Sequence, residues 1–207
     1  MAFVPASLNF TALFVDPSMF DSRRNWRRAG FDVLDTANDN ECMVAGHPSA
    51  PGYLFKKYAN DNSENANENY AARLKGSCRL AEFVRREGLR HIVVPQKHLH
   101  ELPSRFGKAA RLLVVERLDV LGRSESKRRY GDIAEPVLRD LLVVLDEFKG
   151  LDSNIKNVPF TRDGRIAFID LEHWDRRRDR DEVKLKQIGR YLSKRSWKLA
   201  RKILDDL

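Results

Sequence analysis

The sequence predicts an α+β fold, and three observations predict it. Short strand-like runs crowd the first 120 residues, at "GFDVL", "ECMVAG", "YLFKKY", "HIVVP" and "RLLVVERLDVL". Helical spacing of apolar residues governs three longer stretches, at about 70–86, at 133–148 and from Glu182 onward. Between the last two lies "NVPFTRDGRIAFID", two strand-like runs joined by the turn "TRDG". The order is therefore strands, helix, strands, helix, hairpin, helix.

Bulk composition sets the frame for these elements. A chain of 207 residues can bury one good core or two small lobes. One third of the residues are charged and 42% apolar, the balance of a soluble globular protein. Cys42 and Cys78 form no CxxC pair and belong to no Cys/His cluster, so neither structural zinc nor a disulfide framework is expected. The first fifteen residues are mildly apolar but lack a basic leader and contain Pro5 and Asn9, which argues against a cleaved Sec signal and against a membrane span. The expected location is the cytoplasm, or a host cell reached without a cleaved Sec signal.

Charge is unevenly placed. Residues 1–70 hold six basic and nine acidic side chains, so the net charge of +8 comes from the remainder. The stretch from Trp174 to Leu207 alone has twelve basic and six acidic side chains, a polarity that favours an anionic partner.

Element by element, "GFDVLDTANDNECMVAG" reads as two short strands around the polar turn "DTANDN", and "YLFKKY" as a third strand. "NDNSENANEN" at 60–69 is polar low-complexity sequence and reads as a loop. The helix at 70–86 aligns Leu74, Cys78, Ala81 and either Phe83 or Val84. "RLLVVERLDVL" should end in a polar turn at "GRSESKRR". In the helix at 133–148, Val137, Leu141, Val144, Leu145 and Phe148 form a buried stripe. In the last helix, Leu185, Ile188, Leu192, Leu199 and Ile203 share a face.

The residues that carry chemistry are Asp152, Asn157 and Asp170, in "GLDSNIKNVPFTRDGRIAFIDLEHW". Five residues separate the first pair, and thirteen residues with a hairpin separate the second. An Asn amide oxygen and one carboxylate satisfy Mg²⁺, a hard cation that takes oxygen ligands and few carboxylates. A second Asp nearby can orient a hydroxyl and accept its proton, which is most of what phosphoryl transfer asks of a protein.

This constellation resembles the protein-kinase-like superfamily, whose catalytic Asp precedes an Asn by the same interval and whose metal-binding Asp ends a following hairpin. The resemblance covers roughly residues 30–172. It implies a bilobal fold with a β-rich N-lobe and a much reduced helical C-lobe, divided as an extension at 1–28, an N-lobe with hinge at 29–120 and a C-lobe at 121–207. Asp152 would be the base, and Asn157 and Asp170 the metal ligands. Lys56 falls where the family carries the strand Lys that neutralises the ATP phosphates. A strand turns only one of two neighbours to a given side, and Lys56 is preferred to Lys57 as the Lys directly after the apolar pair. Glu82 is the helix acid expected to pair with that Lys, with Glu68 as the alternative. Val115 would be the gatekeeper, the Glu116 carbonyl and the Leu118 amide would meet the adenine, and Glu172, on the same side of an extended chain as Asp170, would be a further metal ligand.

Departures from the family pattern accompany the matches. "DTANDN" replaces a Gly-rich loop and brings Asp35 and Asp39 towards phosphates. Gly150 and Leu151 stand in place of His-Arg, Asn154 in place of the Lys near the catalytic Asp, and Leu171 and Glu172 in place of Phe-Gly. Thirty-seven residues follow Asp170, which resembles the minimal kinases and pseudokinases of bacterial effectors. The expected function is ATP- and Mg²⁺-dependent transfer to a hydroxyl, on protein Ser or Thr, with a nucleotide-binding pseudokinase as the alternative. A third reading, a basic nucleic-acid-binding module, rests on Arg176 to Lys202 interleaved with Trp174, Tyr191 and Trp197. Nucleic acid is the less expected partner, and an acidic or hydroxyl-bearing protein the more expected one.

Overall fold

The structure, a computed structural model, describes residues 22–34, 42–58, 64–102, 110–171, 174 and 187–207. Along the chain the elements are α1 (Arg23–Arg28), β1 (Asp32–Leu34), β2 (Cys42–Gly46), β3 (Tyr53–Tyr58), α2 (Glu64–Arg86), β4 (Ile92–Val93), β5 (Lys97–Leu102), β6 (Ala110–Glu116), α3 (Arg123–Gly131), α4 (Glu135–Glu147), β7 (Ile166–Ala167), a 3-10 turn (Gly189–Tyr191) and α5 (Lys194–Asp205). The fold is α+β. The chain divides into two compact units, residues 1–74 with 96–117 and residues 75–95 with 118–207.

The first unit is built on a five-stranded sheet in the order β1-β2-β3-β6-β5, every pair antiparallel. Its two sides bury different residues, as the two-residue period of strands requires. On one side Phe55, Val33, Ala45, Leu112 and Val114 pack with Trp26 of α1 and with Phe31. On the other, Tyr58, Leu113 and Val115 pack with Tyr70 of α2. The Tyr70 hydroxyl accepts from the Tyr58 amide and donates to the Arg111 carbonyl, both at 3.1 Å, so one phenol ties α2 to two strands.

The second unit is centred on α4, whose Leu138, Leu141, Leu142, Val144 and Leu145 are buried. Pro136 in its first turn suits a position that has no intrahelical partner for an N–H. Around it pack Leu80 and Phe83 of α2, Tyr130 of α3, Phe160, Ile166 and Phe168 of the hairpin, and Ala200 and Ile203 of α5.

Several elements differ from the sequence expectations. "NDNSENANEN" is not a loop throughout: α2 begins at Glu64, and its Glu and Ala residues hold helix once the next four turns are packed. "HIVVP" does not join the sheet; β4 runs parallel to β7, with Ile92 opposite Ile166. "GRSESKRR" is largely the helix α3, anchored by buried Ser126 and Tyr130 four residues apart. β5 had no counterpart among the expected strands. The last helix does not run unbroken from Glu182. Leu192 is extended, and Ser193 caps a new start by accepting from the Ser196 amide at 3.2 Å. Leu185 and the rest of 175–186 lie outside the described residues. Among the described residues no helix is long and apolar enough to cross a membrane.

Candidate functional site

Residues 149–171 of the second unit form a loop and a hairpin held by groups from three other elements. The hairpin closes through Thr161 and Arg165, between whose backbone groups the N···O distance is 2.8 Å, and Gly164 takes φ 88° in the turn, a conformation suited to glycine. Buried Tyr130 donates its hydroxyl to the Val158 carbonyl at 2.7 Å. Burial pushes that phenol well above its ordinary pKa, so it remains a donor. Ser126 accepts from the Phe160 amide at 3.3 Å, and the Leu121 amide donates to the Phe160 carbonyl at 2.7 Å. The Ile166 and Phe168 amides donate to the His91 and Val93 carbonyls.

Within this frame Asp152 and Asn157 meet directly. Asn157 Nδ2 donates to Asp152 Oδ2 at 2.9 Å, and the Asn154 amide donates to Asp152 Oδ1 at 3.0 Å. A carboxylate only accepts, so the amide nitrogen must face Asp152 and Asn157 Oδ1 must turn elsewhere. The Ile169 amide donates to the Asn157 carbonyl at 3.0 Å, which places Asp170 one residue from the strand pairing at Asn157. Asp152, Asn157 and Asp170 are all partly exposed. Each Asp152 oxygen keeps a second lone pair that can reach a hydroxyl.

The oxygen set is chemically suited to a hard cation. Among the described residues no three His, Cys, Asp or Glu side chains cluster as a metal cage. An ion held here would take Asn157 Oδ1 and the Asp170 carboxylate and complete its shell with phosphate and water, the habit of Mg²⁺. Glu172, the third expected ligand, lies outside the described residues, as do "DTANDN" with Asp35 and Asp39, and Arg176 to Arg180.

The chain beyond Asp170 is laid against α2. A Cβ added at Gly76 would stand 2.6 Å from the Leu171 carbonyl oxygen and 2.7 Å from Trp174 Cδ1. Spacing alone did not mark Gly76, Tyr130 or Ser126 as supports of the site. A glycine inside a helix was the available signal for the first, since helices rarely keep one without a packing reason.

In the first unit, β3 turns Lys56 to the side of Tyr58 and Lys57 to the side of Phe55, where Lys57 is only 7% exposed. Lys56 thus shares a side of the sheet with Val115, the expected gatekeeper, and sits opposite Leu113 in register. Beside Tyr70, α2 also sets Arg73 on that side, buried, with its guanidinium carbon 4.8 Å from the centre of the Tyr58 ring. Both acids expected as partners of Lys56 are exposed: Glu68 on α2, and Glu82 in a groove of about 340 Å³ on the second unit with Lys75, Arg79, Phe83 and Trp174. The Glu116 amide donates to the Gln96 carbonyl and the Arg117 amide to the Gly52 carbonyl, both at 2.8 Å; Leu118 is half-buried and opens the second unit's segment.

No protein-family model matches this chain, and no curated protein matches it. Among solved structures, the chain is similar to an apo pseudokinase, at 11% identity and a TM-score of 0.49, over 86% of this chain and 84% of that one. The α+β architecture with its antiparallel sheet is compatible with a kinase-like fold.

Proposed function

We propose that this chain is an ATP- and Mg²⁺-dependent phosphotransferase acting on a hydroxyl, in the first place that of protein Ser or Thr. The observation that carries the reading is the Asn157 to Asp152 hydrogen bond inside the loop whose hairpin delivers Asp170. On this reading Asn157 Oδ1 and Asp170 hold the cation, which when bound neutralises phosphate charge. Asp152 orients the acceptor hydroxyl and takes its proton as the oxygen attacks the γ-phosphorus and ADP leaves. The part of Lys56, charge neutralisation on the phosphates, rests on the family resemblance.

A second reading is nucleotide binding without transfer. It is favoured by Asn154, which stands where the family keeps a Lys and whose Oδ1 accepts the Lys156 amide at 3.2 Å. Thermal denaturation with ATP, with and without Mg²⁺, followed by a γ-phosphate transfer assay, separates the two. A Mg²⁺-dependent shift with transfer supports the enzyme, and a shift without transfer on varied acceptors supports the second reading. No shift at all overturns both.

A further inference from the structure

We propose that the exposed face formed by α3, the 3-10 turn and α5 is a docking surface for an acidic polypeptide segment. It goes beyond the phosphotransferase reading and does not depend on it. All of it lies in the second unit. α3 has four basic side chains and one acidic, and residues 187–207 have six basic and two acidic, a surplus of seven in a chain whose net charge is +8. The two parts abut: the Lys127 ammonium lies 5.3 Å from the centre of the Tyr191 ring, and Arg190 lies 5.6 Å from the same ring.

Most of the charges on α5 do not serve the helix. Ser196, Ala200 and Ile203 face the core, while Lys194, Arg195, Lys198, Arg201 and Lys202 are exposed. Among the described residues none of these five makes an ion pair. Lys194, Lys198 and Lys202 repeat at four-residue intervals, a like-charge spacing that destabilises a helix. Lys194 and Arg195 in the first turn and Asp205 and Asp206 at the C-terminal end each stand where the helix dipole disfavours them, while Lys202 in the last turn is favoured. Cations crowded at the N-terminal end and repeated along the exposed face, beyond what the helix itself rewards, are explained by an anionic partner outside the helix.

Two features select a short acidic polypeptide over nucleic acid. The aromatic rings that could stack on bases are already engaged: Trp197 packs on Gly189 with Arg201 5.6 Å from its centre, and Tyr191 takes Lys127 and Arg190. Asp205 and Asp206 also close one end of the basic stripe, which runs about 12 Å by helix rise from Lys194 to Lys202, and would repel a polyanion continuing past it.

Fluorescence anisotropy of a labelled Glu-rich peptide of about 12 residues, long enough to span that length whether helical or extended, tests this on the protein. The controls are the same peptide with Gln for Glu, single-stranded RNA and duplex DNA. Saturable binding of the Glu peptide that weakens with salt is expected, with a loss of about tenfold or more in the triple variant K194E/K198E/R201E and a smaller loss in Lys127→Glu. Circular dichroism should show both variants folded, since every altered side chain is exposed. Their Mg²⁺-ATP shift should equal the parent's, so that failure here is distinguishable from failure of the phosphotransferase reading. Tighter binding of RNA or DNA than of the Glu peptide, equal binding of the Gln peptide, or undiminished affinity in K194E/K198E/R201E would overturn the proposal.

Discussion

The side-chain amide of Asn157 donates to the carboxylate of Asp152 across 2.9 Å, and that bond sets which atom of each residue faces outward. It is made between two partly exposed residues of an irregular loop, so its geometry is held by the backbone around it. That backbone is pinned by the Asn157 and Val158 amides, which both donate to the Asn154 carbonyl, at 2.7 and 3.1 Å.

Asn157→Asp replaces the donor by a second carboxylate at hydrogen-bond distance. Like charges so close raise one pKa above the ordinary carboxylate value. A group whose folded pKa is raised is favourable below its unfolded pKa and loses that contribution as pH rises through the raised value. The variant should therefore nearly match the parent at about pH 4 and fall about 1–2 kcal/mol below it at neutral pH. Denaturant titration across that range checks this, and a deficit independent of pH would remove the carboxylate pair as its cause.

Asp170→Ala should abolish the Mg²⁺-dependent part of ATP stabilisation, because binding to the folded state alone raises stability by mass action. Asp170 is partly exposed and outside the apolar cluster, so the unliganded fold should survive the change. A full Mg²⁺-ATP shift in the variant would exclude Asp170 as a ligand.

Much of this architecture was legible where burial leaves a period in the sequence. β1, β2 and β3 follow apolar runs bounded by turn residues, and α4 follows a stripe of Leu and Val. The start of α2 was hidden because Asn and Asp weight a segment towards turns, although packing of Tyr70 downstream recruits it into helix. α3 turns only Ser126 and Tyr130 inward, too few for a periodic signal, and "KHLHEL" of β5 buries a Lys in alternation with His. At the candidate site, spacing along the chain singled out Asp152, Asn157 and Asp170, of which the structure joins the first two by a hydrogen bond. Tyr130 and Ser126 reach the same hairpin from 28 and 34 residues away, a relation that no local pattern encodes.

Gly76→Ala sets two effects against each other. Alanine favours helix over glycine by about 1 kcal/mol. Here its methyl would meet backbone, the Leu171 carbonyl at 2.6 Å, which cannot rotate away as a flexible side chain could. Overpacking of that kind costs about 1–3 kcal/mol, so the net change should be destabilising. Since Leu171 follows Asp170, the Mg²⁺-ATP shift should shrink as well. Gly122→Ala, at the N-cap of α3 with open space around the added carbon, is the steric control: it should cost no more than about 1 kcal/mol, through the cap, and leave the Mg²⁺-ATP shift unchanged.

Tyr130→Phe removes one hydroxyl from the core and orphans the Val158 carbonyl, which accepts from it at 2.7 Å. An unsatisfied buried acceptor costs about 1–3 kcal/mol. The fold should survive, because the ring keeps its contact with Phe160 at 4.8 Å between centres. A loss of phosphoryl transfer larger than the loss of stability would show that the bond also positions Asn157, the residue before Val158.

Asp163, at the tip of the hairpin, supplies the clearest pH signature. Hydrogen bonds from Arg165 first, then from Thr161, lower its carboxyl from an ordinary 3.8 to about 2. A depressed folded pKa means the stabilisation is complete above the unfolded pKa and is lost as pH falls towards the folded one. Asp163 and Arg165 are both well exposed, with Arg165 Nη2 at 2.7 Å from Asp163 Oδ2, so solvent screening keeps the contribution at or below about 1 kcal/mol. Asp163→Asn should therefore melt slightly below the parent at pH 7, with the gap closing between about pH 4 and pH 2 and narrowing in high salt. Thermal denaturation of both proteins over that range decides it. A gap that persists at pH 2 would assign the effect to the turn's hydrogen bonding, and no gap at any pH would show that Arg165 and Thr161 hold the turn equally well without the charge.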